Sequence, residues 1–209
     1  MHTEDPTASN LPSPSVPPPL DKFGLPMQPE SVQSQLKAGI EPSGGARPLR
    51  IVTLGVYGFD ETCFFAALRA AGVDAFCDLR ARRGVRGREY AFVNSKRLQA
   101  RLAELDIRYF HLKELAPSQA LRERQAAADQ AERTAKRQRT ALSQLFITDY
   151  REECLQTFDS RKLIGQVGHG ARVVALFCVE RAPGACHRSL VAERLKQDLG
   201  LEVVHLLPS

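Results

Sequence analysis

Residues 172–189 read Arg-Val-Val-Ala-Leu-Phe-Cys-Val-Glu-Arg-Ala-Pro-Gly-Ala-Cys-His-Arg-Ser. The apolar run from Val173 to Phe177 does not alternate with polar residues, which is typical of a strand that is covered on both faces. A polar loop with proline and glycine follows, and His187 then begins a segment of helical composition. This strand, loop and helix predict an α/β protein whose parallel sheet carries polar residues at the carboxyl ends of its strands.

The alternation of strand and helix extends outward from this stretch. Apolar helical stripes separate the strand-like runs, as in residues 60–71, where Phe64, Phe65 and Leu68 recur on one side. Strands that alternate with helices pair in parallel through right-handed crossovers, so we predict an α/β fold, a three-layer sandwich with a mostly parallel sheet of about five strands. The predicted strands are residues 50–56, 73–79, 107–111, 173–177 and 202–206.

Residues 1–48 differ in composition from the rest of the chain. Ten of the 13 prolines lie in this segment, among serine, glutamine and glycine. Such a segment buries too little apolar surface to offset the entropy of ordering its chain. We predict a disordered Pro-rich N-terminal tail over residues 1–48 and one α/β domain over residues 49–209.

The chain has 209 residues with 29 Lys+Arg and 24 Asp+Glu, and its formal net charge is +5. This charge favours anionic partners, either a small anionic ligand or nucleic acid. No apolar run is long enough to span a bilayer and the first residues lack the pattern of a secretory signal, so we expect a cytoplasmic protein without a membrane partner. The five cysteines are then expected to remain thiols. Nothing in the sequence favours one oligomeric state.

Five residues at the predicted carboxyl edge of the sheet are candidates for catalysis: Cys178, Glu180, Cys186, His187 and His111. Cys178 ends a strand, and a helix N-terminus near its sulfur would stabilise a thiolate, which makes Cys178 the first candidate nucleophile and Cys186 the second. His187 or His111 would move protons. The alternative interpretations are core packing for Cys178, an ion pair with the adjacent arginine for Glu180 and a structural role for His111.

A second group of residues is suited to binding an anion. Residues 78–90 carry five arginines and two glycines directly after a predicted strand, and guanidinium groups bind phosphate or carboxylate through two parallel hydrogen bonds. The start of the last helix adds free N–H groups that attract anions. The alternative interpretation of the arginine loop is a solvated charged surface. The predicted anion-binding residues are Asp78, Arg80, Arg83, Arg86, Arg88, Arg188 and Ser189.

The spacing of Cys178, Cys186 and His187 matches no common structural zinc motif, so we predict no metal site. The chain also lacks a Walker-type phosphate loop, and the glycine pair within residues 55–58 is too short for a dinucleotide fingerprint, so we expect no cofactor. Residues 119–139 favour a helix but carry no wide apolar stripe. We expect this segment to project from the domain or to cover an opening.

Several motifs resemble those of the DUF488 family of bacterial and archaeal proteins. They are Cys77-Asp-Leu-Arg80, Ile107-Arg-Tyr-Phe-His-Leu112, Phe177-Cys-Val-Glu180, Cys186-His-Arg-Ser189 and Val204-His-Leu206. The resemblance covers residues from about 50 to 207 and implies an α/β domain without an assigned function. One departure is the turn after the first strand, where many members carry Gly-His-Ser and this chain has Gly55-Val-Tyr57.

A weaker resemblance concerns rhodanese-like domains. Their order of an Asp-x-Arg strand end, a strand ending in cysteine and an Arg-Ser helix start is similar to the order of Asp78, Cys178 and Arg188 here. The loop between Cys178 and Arg188 is longer than the rhodanese loop and contains proline, so a shared mechanism is an analogy.

Three functional hypotheses follow from these residues. The first is a cysteine-dependent transferase or hydrolase that acts on an anionic substrate containing phosphate or sulfur. The second is a nucleic-acid or nucleotide-binding protein in which the arginine loop and a basic helix near Arg133 to Arg139 contact phosphates. The third is a non-catalytic anion-binding module built from the same residues.

Overall fold

The computed structural model describes residues 48–85 and 87–208. The predicted tail therefore lies outside the described residues, except for Pro48. Five strands form a single sheet, and each begins within two residues of a predicted strand. The strands are β1 (Arg50–Gly55), β2 (Ala75–Asp78), β3 (Arg108–His111), β4 (Val173–Cys178) and β5 (Glu202–Leu206).

All neighbouring strands of the sheet are parallel, and their order is β3-β2-β4-β1-β5. Strand β4 therefore lies between β1 and β2, which are consecutive in the chain. In open α/β sheets, ligands bind outside the carboxyl ends of the strands where the strand order reverses. The loops after β1, β2 and β4 share that edge.

Helices cover both faces of the sheet, so the predicted three-layer α/β sandwich is confirmed. Asp60 caps the first helix, because its side chain accepts a hydrogen bond of 2.7 Å from the backbone N–H of Cys63. The α-helices are α1 (Glu61–Ala70), α2 (Ser95–Glu104), α3 (Gln119–Ala131), α4 (Gln144–Tyr150), α5 (Ser160–Val167) and α6 (His187–Leu199). Short 3₁₀ turns occupy Arg88–Val93, Lys113–Leu115 and Pro183–Ala185, and a π-helical turn, Arg151–Leu155, follows α4.

The two faces of the sheet have separate hydrophobic cores. On one face α1 and α2 pack against the sheet through aromatic rings, and the ring of Phe64 meets those of Phe59, Phe92 and Phe177 edge-on. Such ring pairs contribute about 0.5–1.5 kcal/mol each beyond their buried area. On the other face α3 to α6 pack with mostly aliphatic side chains, including Leu176. Both faces of β4 are therefore buried, which explains its unbroken apolar sequence.

The predicted helix over residues 119–139 is shorter than expected and ends at Ala131. Arg133 adopts a left-handed backbone conformation with a φ of 53°, which a continuing right-handed helix does not accommodate. Residues 132–142 instead form an irregular connection to α4, named here the cover segment. Within residues 48–85 and 87–208, none of the helices has the length and apolar character needed to cross a membrane.

Candidate functional site

The carboxyl end of β4 leads directly into a buried polar cluster. Cys178 is the last residue of β4 and pairs in register with Gly55 of β1. The chain then turns through the short 3₁₀ turn that ends at Ala185, and Cys186 occupies the N-cap position of α6. This path returns the start of α6 to the end of β4. The two cysteines are therefore neighbours in space although seven residues separate them.

Two sulfur atoms and an imidazole meet at this position. The donor atoms of Cys178, Cys186 and His187 all lie within 4.8 Å of one another, and all three residues are buried. The Cys186 Sγ lies 3.9 Å from His187 Nδ1. The other ring nitrogen of His187, Nε2, lies 3.2 Å from the backbone oxygen of Leu79. The Leu79 carbonyl thus holds the ring so that Nδ1 faces the sulfur atoms.

Glu180 supplies the carboxylate of the cluster. The Cys178 Sγ lies 3.6 Å from Glu180 Oε2. The opposite oxygen, Oε1, lies 3.6 Å from Lys136 Nζ and 3.5 Å from Arg139 Nη2. Burial and the neighbouring charge of Cys186 raise the pKa of Glu180, while Lys136 opposes that rise. The carboxylate therefore connects the cysteine pair to two basic residues of the cover segment.

The environment distinguishes the two thiols. The hydrogen bond to Cys186, together with burial, raises the pKa of Cys178 well above its usual range. Burial also works to raise the pKa of Cys186, but the hydrogen bond from Cys178 and the positive charges of His187 and Arg188 outweigh it and hold the pKa well below its usual range. Burial works to lower the pKa of His187, but the charge of Cys186 outweighs it and raises that pKa. The geometry thus favours Cys186 as the thiolate, whereas the sequence favours Cys178.

Arg188 supports the loop around this cluster from inside the protein. Its guanidinium is fully buried and donates from Nη1 to the carbonyl of Glu180 across 2.6 Å and from Nη2 to the carbonyl of Arg181 across 3.0 Å. Its Nε has no partner among the described residues. Ser189 also turns inward, since its hydroxyl donates to the carbonyl of Cys186 across 2.9 Å. Both predicted anion ligands therefore bind backbone groups of their own loop.

Arg80, in the loop after β2, is likewise buried and paired within the protein. Its Nε and Nη2 donate to the two carboxylate oxygens of Asp78 across 2.8 and 2.7 Å, and Nη2 also donates to the carbonyl of Val93 across 2.9 Å. The guanidinium lies 4.7 Å from the centre of the Phe177 ring. Asp78 additionally accepts a hydrogen bond of 2.8 Å from the hydroxyl of Tyr109. The ion pair thus joins the end of β2 to the first residues of the loop that follows it.

His111 and Arg83 lie beside groups of this ion pair. His111 Nε2 lies 2.9 Å from the carbonyl of Arg80, which favours the structural interpretation of that histidine. Arg83 is half-buried and its side chain hydrogen-bonds to Tyr109. Arg88 is exposed at the start of a 3₁₀ turn, and Arg86 lies outside the described residues. The structure therefore brings together Cys178, Glu180, Cys186, His187 and Arg188, but not the arginine loop as a whole.

Arg139 of the cover segment is a contact that the sequence analysis missed. Its guanidinium donates to Asp129 Oδ2 across 2.7 Å and to the carbonyl of Ala185 across 3.0 Å, and it faces Glu180. Two residues earlier in the same segment, Arg137 lies over the rings of Tyr57 and Tyr90. The cover segment thus lies across the site. This agrees with the expectation that the region covers an opening and not with the alternative that it projects from the domain. The available signal was its run of basic residues, which the sequence analysis assigned to phosphate contacts instead.

Comparison with known proteins gives a family but no function. The model of the family described as "Domain of unknown function DUF488" matches residues 62–195, which include β2, β4, both cysteines of the cluster and most of α6. No curated protein and no solved structure matches the chain. The match covers well over half of the 209 residues and agrees with the motifs around Cys178 and Cys186. The chain belongs to the DUF488 family, whose function is unknown.

Proposed function

We propose that this protein is a thiol-dependent enzyme in which the Cys186 sulfur attacks an electrophilic atom of a small anionic substrate. The single observation that supports the proposal is the arrangement of Cys186 and His187. The sulfur lies 3.9 Å from Nδ1 of a ring whose other nitrogen is held by the Leu79 carbonyl. A thiol beside an oriented imidazole at a helix N-terminus is the usual arrangement of an activated cysteine nucleophile.

The chemistry assigned to each residue follows from its contacts. The sulfur of Cys186 forms a bond to sulfur, phosphorus or carbon of the substrate, and the bond from that atom to the leaving group breaks. The leaving group takes a proton from the imidazolium of His187. An acceptor then attacks the same atom and releases the Cys186 thiolate. Water or a second thiol returns a proton to His187 as it attacks, whereas cyanide carries no proton to return. The positive charges of His187 and Arg188 stabilise that thiolate.

An anionic substrate fits the charges that surround the sulfur. Arg188 lies beneath the loop and binds only backbone carbonyls among the described residues. Arg139 and Lys136 approach from the cover segment and face the carboxylates of Asp129 and Glu180. The Nε groups of Arg139 and Arg188 are buried and lack partners among the described residues. Donors of this kind stabilise negative charge strongly where water is excluded. A substrate with one anionic group would therefore find complementary charge next to the nucleophile.

Access to Cys186 requires the cover segment to move, because only 1% of the Cys186 surface is exposed. Arg137 holds this segment to the neighbouring surface through the rings of Tyr57 and Tyr90 and through Glu89, 3.5 Å away. These contacts are exposed and individually weak. Opening of the cover segment is therefore the step that admits the substrate.

A timed iodoacetamide pulse on the full chain, followed by peptide mass spectrometry, tests the nucleophile. We expect Cys186 to be labelled faster than Cys63, which is more exposed but lacks an imidazole partner. His187→Gln should slow the labelling of Cys186 at least about a hundredfold, the lower end of the range of general-base effects. Arg137→Gln should speed it by releasing the cover segment. A Cys186 that reacts only after unfolding, in the wild type and in Arg137→Gln, would contradict the proposal.

Turnover distinguishes an enzyme from the non-catalytic anion-binding module. The purified chain is assayed for release of sulfite from thiosulfate with cyanide as acceptor and for release of nitrophenolate from an aryl phosphate. Loss of either activity in Cys186→Ser, with activity retained in Cys154→Ser, would support catalysis. Saturable binding of thiosulfate or phosphate without turnover, unchanged in Cys186→Ser, would support the binding module instead.

A further inference from the structure

We propose that Cys178, Cys186 and His187 form a binding site for one thiophilic divalent cation of the zinc class. The three donor atoms already lie within 4.8 Å of one another. Ligands at about 2.3 Å for sulfur and about 2.0–2.1 Å for nitrogen around a tetrahedral ion are separated by roughly 3.3–3.8 Å. Contraction of the cluster by about 1 Å is therefore sufficient. The sequence spacing predicts no such site, because it does not show that a strand end and a helix start converge.

The His187 ring is already oriented as a metal ligand requires. Its Nε2 lies 3.2 Å from the Leu79 carbonyl, so this nitrogen carries the proton that the carbonyl accepts. In the neutral ring, Nδ1 then presents its lone pair toward the sulfur atoms. Metal-binding histidines characteristically donate their second N–H to a carbonyl or carboxylate, which fixes both the tautomer and the ring orientation. The ring orientation that the proposed nucleophile uses is thus also the one that a metal ligand requires.

The donors are carried by the end of a central strand and the start of a helix. Cys178 ends β4, which is bonded on both sides to other strands, and Cys186 begins a 13-residue helix. The loop between them is held by Arg188 through two carbonyl groups. Ligands on rigid elements lose little freedom when they bind an ion.

The donor set also selects the class of cation. Two thiolates and one imidazole favour zinc and similar ions, whereas magnesium and calcium prefer oxygen. Three protein ligands leave one position of a tetrahedral ion open, as in catalytic zinc sites. The nearest further donor is Glu180, whose Oε2 lies 3.6 Å from Cys178 Sγ. Glu180 is thus placed to complete the coordination or to bind a water molecule held there.

A cation at this site would affect the proposed enzyme, and this effect is the one part of the inference that rests on the proposed function. A cation bound to Cys186 removes the sulfur lone pair that attacks the substrate, so the metal-bound form is inactive as a thiol enzyme. Chelation then restores the nucleophile. Zinc would act on this protein as a reversible inhibitor that binds at the reacting atom itself.

Cobalt titration of the full chain under a phosphine reductant tests the site without reference to activity. We expect one Co²⁺ per chain, with the intense ultraviolet absorption of sulfur-to-cobalt charge transfer and the visible bands of a tetrahedral ion. Zinc should displace both signals. Cys178→Ser, Cys186→Ser and His187→Gln should each weaken cobalt binding at least about tenfold, the lower limit for losing even an outer-shell partner. The paired change Cys63→Ser with Cys154→Ser is the control and should leave the spectrum unchanged.

Two further measurements distinguish a loss of metal binding from a loss of folding. Circular dichroism of each variant identifies any that fail to fold, and zinc should raise the Tm of the folded wild type but not that of the folded ligand variants. Absence of the sulfur-to-cobalt absorption in the wild type, or an unchanged absorption in Cys186→Ser, would overturn the metal site. If cobalt binds as expected while iodoacetamide never labels metal-free Cys186, the metal site stands and the proposed enzyme does not.

Discussion

The loops after β2 and β4 begin side by side, because these strands are paired neighbours, yet the two loops use their arginines differently. After β2, the buried guanidinium of Arg80 is neutralised by the carboxylate of Asp78, 2.7 Å away. After β4, the buried guanidinium of Arg188 meets two backbone carbonyls, and among the described residues no carboxylate pairs with it. The buried charges of the first loop therefore balance each other. The second loop retains the positive charge of Arg188 beside two thiols.

This difference shows why a count of arginines does not locate a site. The loop after β2 is the richer in arginine, but its buried charge is balanced and its other described arginines are wholly or partly exposed. The loop after β4 has fewer basic residues, and its chemistry depends on where they are buried. Positive charge that lacks a carboxylate partner stabilises a neighbouring thiolate, because the low local dielectric strengthens their interaction. The loop that appears less charged in the sequence is thus the better candidate for reactivity.

The largest expected effect is the loss of the balanced pair in the β2 loop. Arg80→Leu removes the partner of a completely buried Asp78 carboxylate, and breaking a buried pair in this way costs about 3–5 kcal/mol. Urea denaturation of the full chain measures this change in the free energy of unfolding. The exposed neighbour provides the control, since Arg82→Gln should stay within about 0.5 kcal/mol of the wild type. A loss below about 1 kcal/mol in Arg80→Leu would show that the pair is not structural.

A smaller effect is expected where β1 supports the β4 loop. A Cβ atom at Gly55 would lie 1.7 Å from the carbonyl oxygen of Glu180, which Arg188 binds. Gly55→Ala must therefore displace the loop backbone, and we expect a loss of about 3 kcal/mol, the upper end of the range for overpacked sites. Chemical denaturation measures it.

Gly165 is the matched control for Gly55, because a Cβ there meets no atom within 4 Å in helix α5. Gly165→Ala should leave stability unchanged or raise it by up to about 1 kcal/mol, since alanine favours helices. Equal, small effects at both glycines would mean that the β4 loop yields easily and does not hold the thiols in place.

Much of the fold could be predicted from the sequence because it depends on local patterns. An apolar run that is buried on both faces, such as Val173 to Phe177, identifies a central parallel strand. The carboxyl ends of parallel strands share one edge, so the sequence also indicated that Cys178 and Cys186 would lie near other polar groups. These inferences need only the order of the elements and not their detailed packing.

The details of the candidate site could not be predicted because they depend on contacts between distant segments. Sequence motifs suggested that Arg188 binds an outside anion, but its contact with the Glu180 carbonyl requires the exact course of the loop. The contact of Arg139 with Ala185 joins residues that are 46 positions apart. The same limitation applies to metal ligands, since spacing along the chain predicts a site only when the ligands share one local motif. Here a strand end and a helix start bring the donors together.

The smallest expected effect is a lowered pKa of His205 on β5, which lies near enough to the β4 loop to respond to its charge. Desolvation of its ring and the positive charge of Arg188 lower the pKa of His205, and the Thr53 hydroxyl lies 2.8 Å from Nδ1, where it donates to a neutral ring. Because the folded protein favours the neutral form, this contribution to stability is present above the unfolded pKa of about 6.5 and is lost as the pH falls through the folded value. An NMR titration of the histidine ring protons, assigned with His205→Gln, should give a midpoint below the ordinary one. A normal midpoint would mean that neither desolvation nor the Arg188 charge acts on this ring, and the contrast with the Asp78–Arg80 pair would then lose its support.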